Sequence, residues 1–310
     1  MRRKAVFSAG ILFALALLWL AFTHNETAVA DNSSHGACGR IVSLAPSITE
    51  TLFALDLGND VVGVTRYCKF PPETEKITKV GGYIDPNFEA ILSLLPDTVI
   101  ALVGQGDASL FLNDKVNNVI TVNGGSVKSI LESIQTIGAK CGRENEAKGL
   151  INALSSRMEE IRKSALEHTG KKKKIMITVG RSIGTGSISD LFISGEDGFY
   201  SQMIEMAGGE NAYKGATIKF PALSREGILR LDPDIVIEMI PNPAQFDLDV
   251  NEVKKEWEKH LSSVTAVKRG SVYIFTEDYS VIPGPRFILM LEKLAQVIES
   301  NQSDVEIAGK

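Results

Sequence analysis

The chain has 310 residues, 44% hydrophobic and 23% charged, with 33 basic against 38 acidic side chains and a net charge of −5. That balance describes a globular protein with room for about two domains and argues against disorder, a fibrous repeat or a basic nucleic-acid-binding face. Three cysteines and four histidines argue equally against a disulfide-dense scaffold and a multi-histidine metal cluster.

Arg2, Arg3 and Lys4 precede an apolar run from Ala5 to Phe22, and Ala28-Val29-Ala30 supplies the small residues of a cleavage site. This predicts a signal peptide over residues 1–30 and a mature chain starting at Asp31. A retained membrane anchor is the alternative, because the run approaches spanning length. Cys38 lies too far beyond Phe22 to suit a lipoprotein, which needs a Cys directly after the run. The mature chain is expected outside the cytoplasm, in the periplasm, or anchored to the membrane if the segment is not cut. Of Cys38, Cys68 and Cys141, at most two can pair within the chain, and Cys38 with Cys141 is the expected pair.

Ile41 to Ala45 reads as a short buried strand. Ser47 and Glu50 form a capping-box pattern for a helix running to about Leu57. Strands follow at 61–64, 98–102 and 119–122, with helices at 88–94 and 127–137, the alternation of parallel βα units. From Arg143 to His168 apolar residues recur at three- and four-residue steps, one continuous amphipathic helix. Lys171 to Lys174 reads as a solvated turn. The pattern then restarts, with strands at 175–179, 235–239 and 272–275 and helices at 199–207, 227–231 and 287–300.

Residues 87–101 align with 224–238 at a constant offset of 137, with eight of fifteen positions identical. Two similar α/β lobes bridged by one long helix follow from this: lobe one at 40–141, the linker at 143–168 and lobe two at 173–300, within a binding domain of 40–300. The fold class is α/β, two Rossmann-like lobes with a ligand cleft between them at the C-terminal ends of the strands. A single stiff rod predicts little change in lobe separation on binding.

Catalytic chemistry is poorly supplied. His24, His35, His168 and His260 stand beside no Ser or Cys in a nucleophile context. Asp97 and Asp234 each follow a helix-ending Pro, which suits a turn better than acid/base work. Gly104-Gln105-Gly106 and Gly184-Thr185-Gly186 lack the remaining features of a phosphate loop. What the strand ends do carry is aromatic and polar: Tyr67, Cys68 and Phe70, then Tyr83, Phe220, Asp278 and Tyr279. An aromatic-lined cleft with few charges suits a large, flat, mostly apolar ligand. Arg66, Arg181 and Lys219 are its candidate basic residues.

Arg40-Ile41-Val42-Ser43-Leu44-Ala45-Pro46-Ser47-Ile48-Thr49-Glu50 resembles the opening of the periplasmic substrate-binding proteins for cobalamin and iron–siderophore import. Similar, in order, are residues 62–72, the repeated Glu-x-Ile-Leu segment, Met206 to Asn211 and Pro283-Gly284-Pro285-Arg286. The resemblance covers about residues 40–300 and is strongest to the cobalamin-binding branch. It implies two α/β lobes joined by one helix, a role that is not enzymatic, and capture of cobalamin or a related corrinoid. The rival ligands are a ferric siderophore or haem, and the rival class is a two-lobed hydrolase. Ser47, Tyr67, Cys68, Tyr83, Phe220, Asp278 and Tyr279 are the expected ligand-binding set, with no metal site and no cofactor beyond the transported ligand. Ile282 stands where an arginine would reach ligand polar groups, and Arg286 is read as structural, opening the last helix. The implied partners are the permease dimer of an ABC importer with its ATPase subunits, met by a monomeric chain through Glu89 and Glu226.

Overall fold

The computed structural model describes residues 37–105, 110–167, 170–183, 188, 191–196, 198–215 and 218–307. The expected signal peptide over 1–30 lies outside the described residues, as do His24, His35, Gly106, His168 and Gly184-Thr185-Gly186.

Lobe one is built from β1 (Ile41–Ser43), α1 (Pro46–Ala54), β2 (Val61–Val64), β3 (Thr78–Lys79), α2 (Phe88–Ser93), β4 (Thr98–Leu102), β5 (Asn118–Val122) and α3 (Val127–Cys141). Its five strands are all parallel, in the order β3-β2-β1-β4-β5. Successive side chains point to opposite faces. Ile41, Ile100 and Ile120 therefore pack with Ile48 and Leu52 of α1 and Ile130, Ile134 and Ile137 of α3. Val42, Leu44 and Val99 pack on the other face with Ile91 of α2. Burial on both faces is why β1 and β4 read as continuous apolar runs.

The capping box expected at Ser47 and Glu50 is not formed. Pro46 takes the first turn, where its fixed φ suits a helix start, Ala45 is the N-cap, and no side chain caps the helix. Ser47 thus lies inside α1, and the Glu50 carboxylate is engaged elsewhere. The helix also stops at Ala54, short of Leu57, and Gly58–Asp60 form a 3-10 turn.

The linking helix α4 (Glu144–Glu167) has 24 residues, about 36 Å at 1.5 Å per residue. Its buried residues, Ala147, Leu154 and Ile161, form one stripe. Lobe two follows: β6 (Lys174–Gly180), β7 (Leu191–Ile193), α5 (Phe199–Met206), β8 (Glu210–Asn211), β9 (Ala222–Leu223), α6 (Arg225–Leu231), β10 (Ile235–Met239), α7 (Val250–Leu261), α8 (Thr265–Lys268), β11 (Val272–Phe275) and α9 (Phe287–Ile307). The sheet order is β11-β10-β6-β7-β9, with β8 beside β6. β7 runs antiparallel to β6, and β9 antiparallel to β7, so the expected run of parallel units is interrupted on one edge. One core runs through both lobes, from Ile41 and Ile134 through Leu154 and Ile161 of α4 to Ile175, Met203 and Leu294.

Cys38 and Cys141 form the expected disulfide, tying the chain before β1 to the last residue of α3 across a separation of 103 residues. Cys68 is free and buried.

The sequence repeat is a structural repeat. Asn87 and Ser224 each cap a short helix, accepting from the backbone N–H of Ala90 and Gly227 respectively. Leu95 and Asp232 each adopt a left-handed φ, +47° and +41°, just after it. The Asp97 carboxylate then accepts from the Arg40 N–H at 2.8 Å, and that of Asp234 from the Lys174 N–H at 3.0 Å. The Arg40 and Lys174 side chains complete the clamp by donating to the Leu94 and Leu231 carbonyls, both at 2.9 Å. The two aspartates are strand-to-helix clamps, as a Pro-Asp turn suggests.

Candidate ligand cleft

The C-terminal ends of both sheets open into one cleft made of two adjoining cavities. The larger, about 480 Å³, is lined from lobe one by Ala45, Ser47, Tyr67, Lys69 and Tyr83, and from lobe two by Pro241, Asn242, Phe246 and Asp278. The smaller, about 250 Å³, lies between Asn123-Gly124-Gly125 of lobe one and Ser194, Tyr200, Lys219 and Phe220 of lobe two. Tyr83, Leu102, Val281 and Pro283 line both.

Tyr83 rides on a turn that the sequence dictates closely. Gly81 has φ +98°, a conformation that strains any side chain. The turn is braced on the outside by Arg66, whose guanidinium donates to Asp85 at 2.6 Å. On the inside the buried Gln105 side chain donates to the Tyr83 carbonyl at 2.7 Å and the Leu44 carbonyl at 3.0 Å. Its own oxygen accepts from the Leu102 N–H at 2.8 Å. The Gln105 side chain thus ties the ends of two strands, β1 and β4, to the Tyr83 turn. The rings of Tyr67, Tyr83, Phe220 and Phe246 are all substantially exposed. Phe246 was not expected; it sits in a 3-10 turn, Pro243–Phe246, flanked by left-handed Asn242 and Asp247. The Asn-Pro and Phe-Asp junctions were the available turn signal, but a lone Phe in a polar stretch gives no periodicity.

The structure brings Ser47, Tyr67, Tyr83, Phe220 and Asp278 to the cleft walls. It does not bring Cys68 or Tyr279 there. The Cys68 thiol is enclosed by the Thr49 and Thr65 hydroxyls at 3.1 and 3.2 Å. Burial pushes its pKa up, despite those hydrogen bonds. Tyr279 packs half-buried against the core.

Arg286 does more than open the last helix. Its guanidinium donates to Glu50 of lobe one at 2.6 Å and to Asp278 of lobe two at 3.0 and 2.9 Å, and it stacks over the Phe70 ring at 3.9 Å. This joins the lobes beneath the cleft. Burial raises the Glu50 pKa in spite of the Arg286 hydrogen bond. Pro283 and Gly284 close the same region: a side chain on Gly284 would press on Ser47. A second tie runs from the Val127 N–H to the Gln202 side chain at 3.0 Å.

Among the basic candidates, Arg181 is withdrawn from the cleft. Its guanidinium is fully buried, at 2.6 Å from both Glu238 and Glu256, and the Trp257 indole donates to Glu238 at 2.6 Å. Among the described residues there is no cluster of His, Cys, Asp and Glu able to hold a metal ion. None of their helices is long and apolar enough to cross a membrane.

Two α/β lobes, one linking helix and an aromatic cleft at facing strand ends define a solute-binding protein rather than an enzyme. The chain matches the periplasmic binding protein family over residues 41–279 and belongs to that family. It is 32% identical over 265 residues to an uncharacterized ABC transporter substrate-binding lipoprotein, YvrC, of Bacillus subtilis, covering 84% of this chain and 79% of that protein. It is 29% identical over 205 residues to the vitamin B12-binding protein of Salmonella typhi, covering 65% and 72%. Its fold matches the crystal structure of a "possible" iron-binding (periplasmic solute-binding) protein from Staphylococcus epidermidis, with a TM-score of 0.70 and 26% identity, covering 84% of this chain and 98% of that one.

Proposed function

We propose that this chain is the exported solute-binding component of an ABC importer and captures cobalamin or a related corrinoid between its lobes. The observation that carries this is the cleft itself: four exposed aromatic rings, two from each lobe, facing a largely apolar space at the strand ends. Such rings offer area to a flat ligand that the bare protein leaves in water. The likeness to vitamin B12-binding proteins points to the same ligand class. A ferric siderophore or haem is the second reading, favoured by the likeness to the possible iron-binding protein of Staphylococcus epidermidis.

The partner is the importer's permease dimer with its ATPase subunits, reached through Glu89 and Glu226. Both are exposed at the second position of equivalent short helices, where a carboxylate suits the helix dipole. Hydrogen bonds from its own backbone and from Ser224 lower the Glu226 pKa, keeping it ionised. A repeated charge suits a two-fold partner. Glu89→Arg with Glu226→Arg is expected to leave ligand affinity unchanged and to abolish most uptake in reconstituted vesicles. Full uptake by the double variant would leave both residues as helix charges only.

Cys38 is held in a disulfide with Cys141, and a signal peptide cut before Asp31 is the reading for export. Calorimetry with cyanocobalamin, ferric siderophores and haemin tests the ligand. One-to-one corrinoid binding is expected, weakened by about 1–3 kcal/mol in Tyr83→Ala and Phe220→Ala. No heat with any corrinoid and clear siderophore or haemin binding would promote the second reading.

A further inference from the structure

Among the described residues three charged ones line the cleft: Lys69, Asp278 and Lys219. The charge of Asp278 is already met by both Arg286 contacts. Arg66 is spent on Asp85, and Arg181 on Glu238 and Glu256. Lys69 and Lys219 have no ion pair or side-chain hydrogen bond among the described residues. An otherwise acidic chain therefore keeps two uncompensated ammonium groups in its cleft, one from each lobe.

Neither lysine hangs from a loose strand. The Lys219 carbonyl accepts from the Gly195 N–H at 2.8 Å, and the Gly195 carbonyl is held in turn by the buried Asn211 amide at 2.8 Å. The Lys219 ammonium reaches across to lobe one, where any side chain on Gly125 would lie 3.1 Å from it. The bare glycine keeps the cavity open beside the charge. Lys69 follows Cys68, whose thiol and carbonyl are held by Thr49 and Thr74. It precedes Phe70, which lies under Arg286. Both lysines are exposed in the bare protein, and the natural complement of a cation at the mouth of a largely apolar cavity is an oxyanion.

We infer that Lys69 and Lys219 are anion-recognising residues, and that the transported ligand is an apolar plate bearing ionised phosphate or carboxylate at its edge. The inference rests on the cleft being the ligand site, not on the ligand being a corrinoid. A phosphate on a corrinoid's nucleotide loop and the two propionates of haem offer the same chemistry. One phosphate would engage one lysine; two carboxylates would engage both.

The test titrates the full-length mature protein and its Lys69→Met, Lys219→Met and Tyr83→Ala variants with paired ligands: cyanocobalamin against dicyanocobinamide, which lacks the phosphate, and haemin against its dimethyl ester. For the acid-bearing ligand that binds, at least one lysine variant is expected to lose about tenfold in affinity. The uncharged partner should bind the variant and the parent alike, and the loss should shrink with added salt. Tyr83→Ala should weaken both members of the pair. Loss in Tyr83→Ala with full affinity in both lysine variants would overturn the inference while leaving the cleft intact. Equal losses for charged and uncharged partners would overturn it as well. If all three variants bound like the parent, the cleft reading would fall too.

Discussion

Lobe one and lobe two carry the same fifteen-residue repeat but hold themselves together by different means. Lobe one is a wholly parallel sheet stapled by Cys38–Cys141. Lobe two has an antiparallel edge and, behind β10, a buried Arg181–Glu238–Glu256 cluster capped by the Trp257 indole. What the lobes share is the clamp from the Pro-Asp turn to the strand entry, with an exposed glutamate on the helix before it. The difference teaches that the repeated unit is the strand–helix junction, whereas the sheet edges and inner stabilisation of each lobe are its own.

The largest expected effect that would break this contrast lies in lobe two. Arg181→Met leaves Glu238 buried without its counter-charge, with only the Trp257 indole still donating to it, and should cost about 3–5 kcal/mol in denaturant unfolding. A cost below about 1 kcal/mol would mean that the cluster contributes little. In lobe one, Cys38→Ser with Cys141→Ser should cost about 2–4 kcal/mol, because the disulfide constrains a long loop in the unfolded chain. If the lobes unfold separately, each substitution should move a different transition; the shared core predicts that both move one.

The Arg286 bridge sharpens the comparison at the junction between lobes. The native pKa of Glu50 lies above its ordinary 4.5, so the folded state binds this proton more readily than the unfolded chain. The stability from this group is full below pH 4.5 and is lost as pH rises through the raised value. Glu50→Gln should flatten that part of the stability profile, measured by urea midpoints across pH. An unchanged profile would show that Glu50 titrates normally. The smallest effect concerns motion: with a common core, α4 and two further ties between lobes, scattering with and without ligand should show little change in radius of gyration. A large fall would contradict the rigid rod.

Much of the fold was legible in local pattern. Strands β1, β2, β4 and β5 of lobe one and the linking helix announced themselves by apolar runs or periodicity, whereas β3, two exposed residues, did not, and the caps at Asn87 and Ser224 emerged only in the structure. The antiparallel strands β7 and β9, of three and two residues, are too short to carry any period. The box at Ser47 and Glu50 misled because a tertiary partner 236 residues away competes for the carboxylate. Of the cleft, Tyr67, Tyr83, Phe220 and Asp278 could be read from strand-end positions. Cys68 could not be told from its neighbours, since burial of one side chain in a turn is decided by what packs over it. The bracing role of Gln105 and the exposure of Phe246 arise only when distant strand ends meet.

The central claim is that one corrinoid sits between the two lobes. Native mass spectrometry of the protein purified from its own envelope tests it most directly. The account predicts one bound molecule of corrinoid mass per chain, largely absent from a Tyr83→Ala, Phe220→Ala double variant. A ligand of haem or siderophore mass, or a corrinoid retained in full by the double variant, would contradict it.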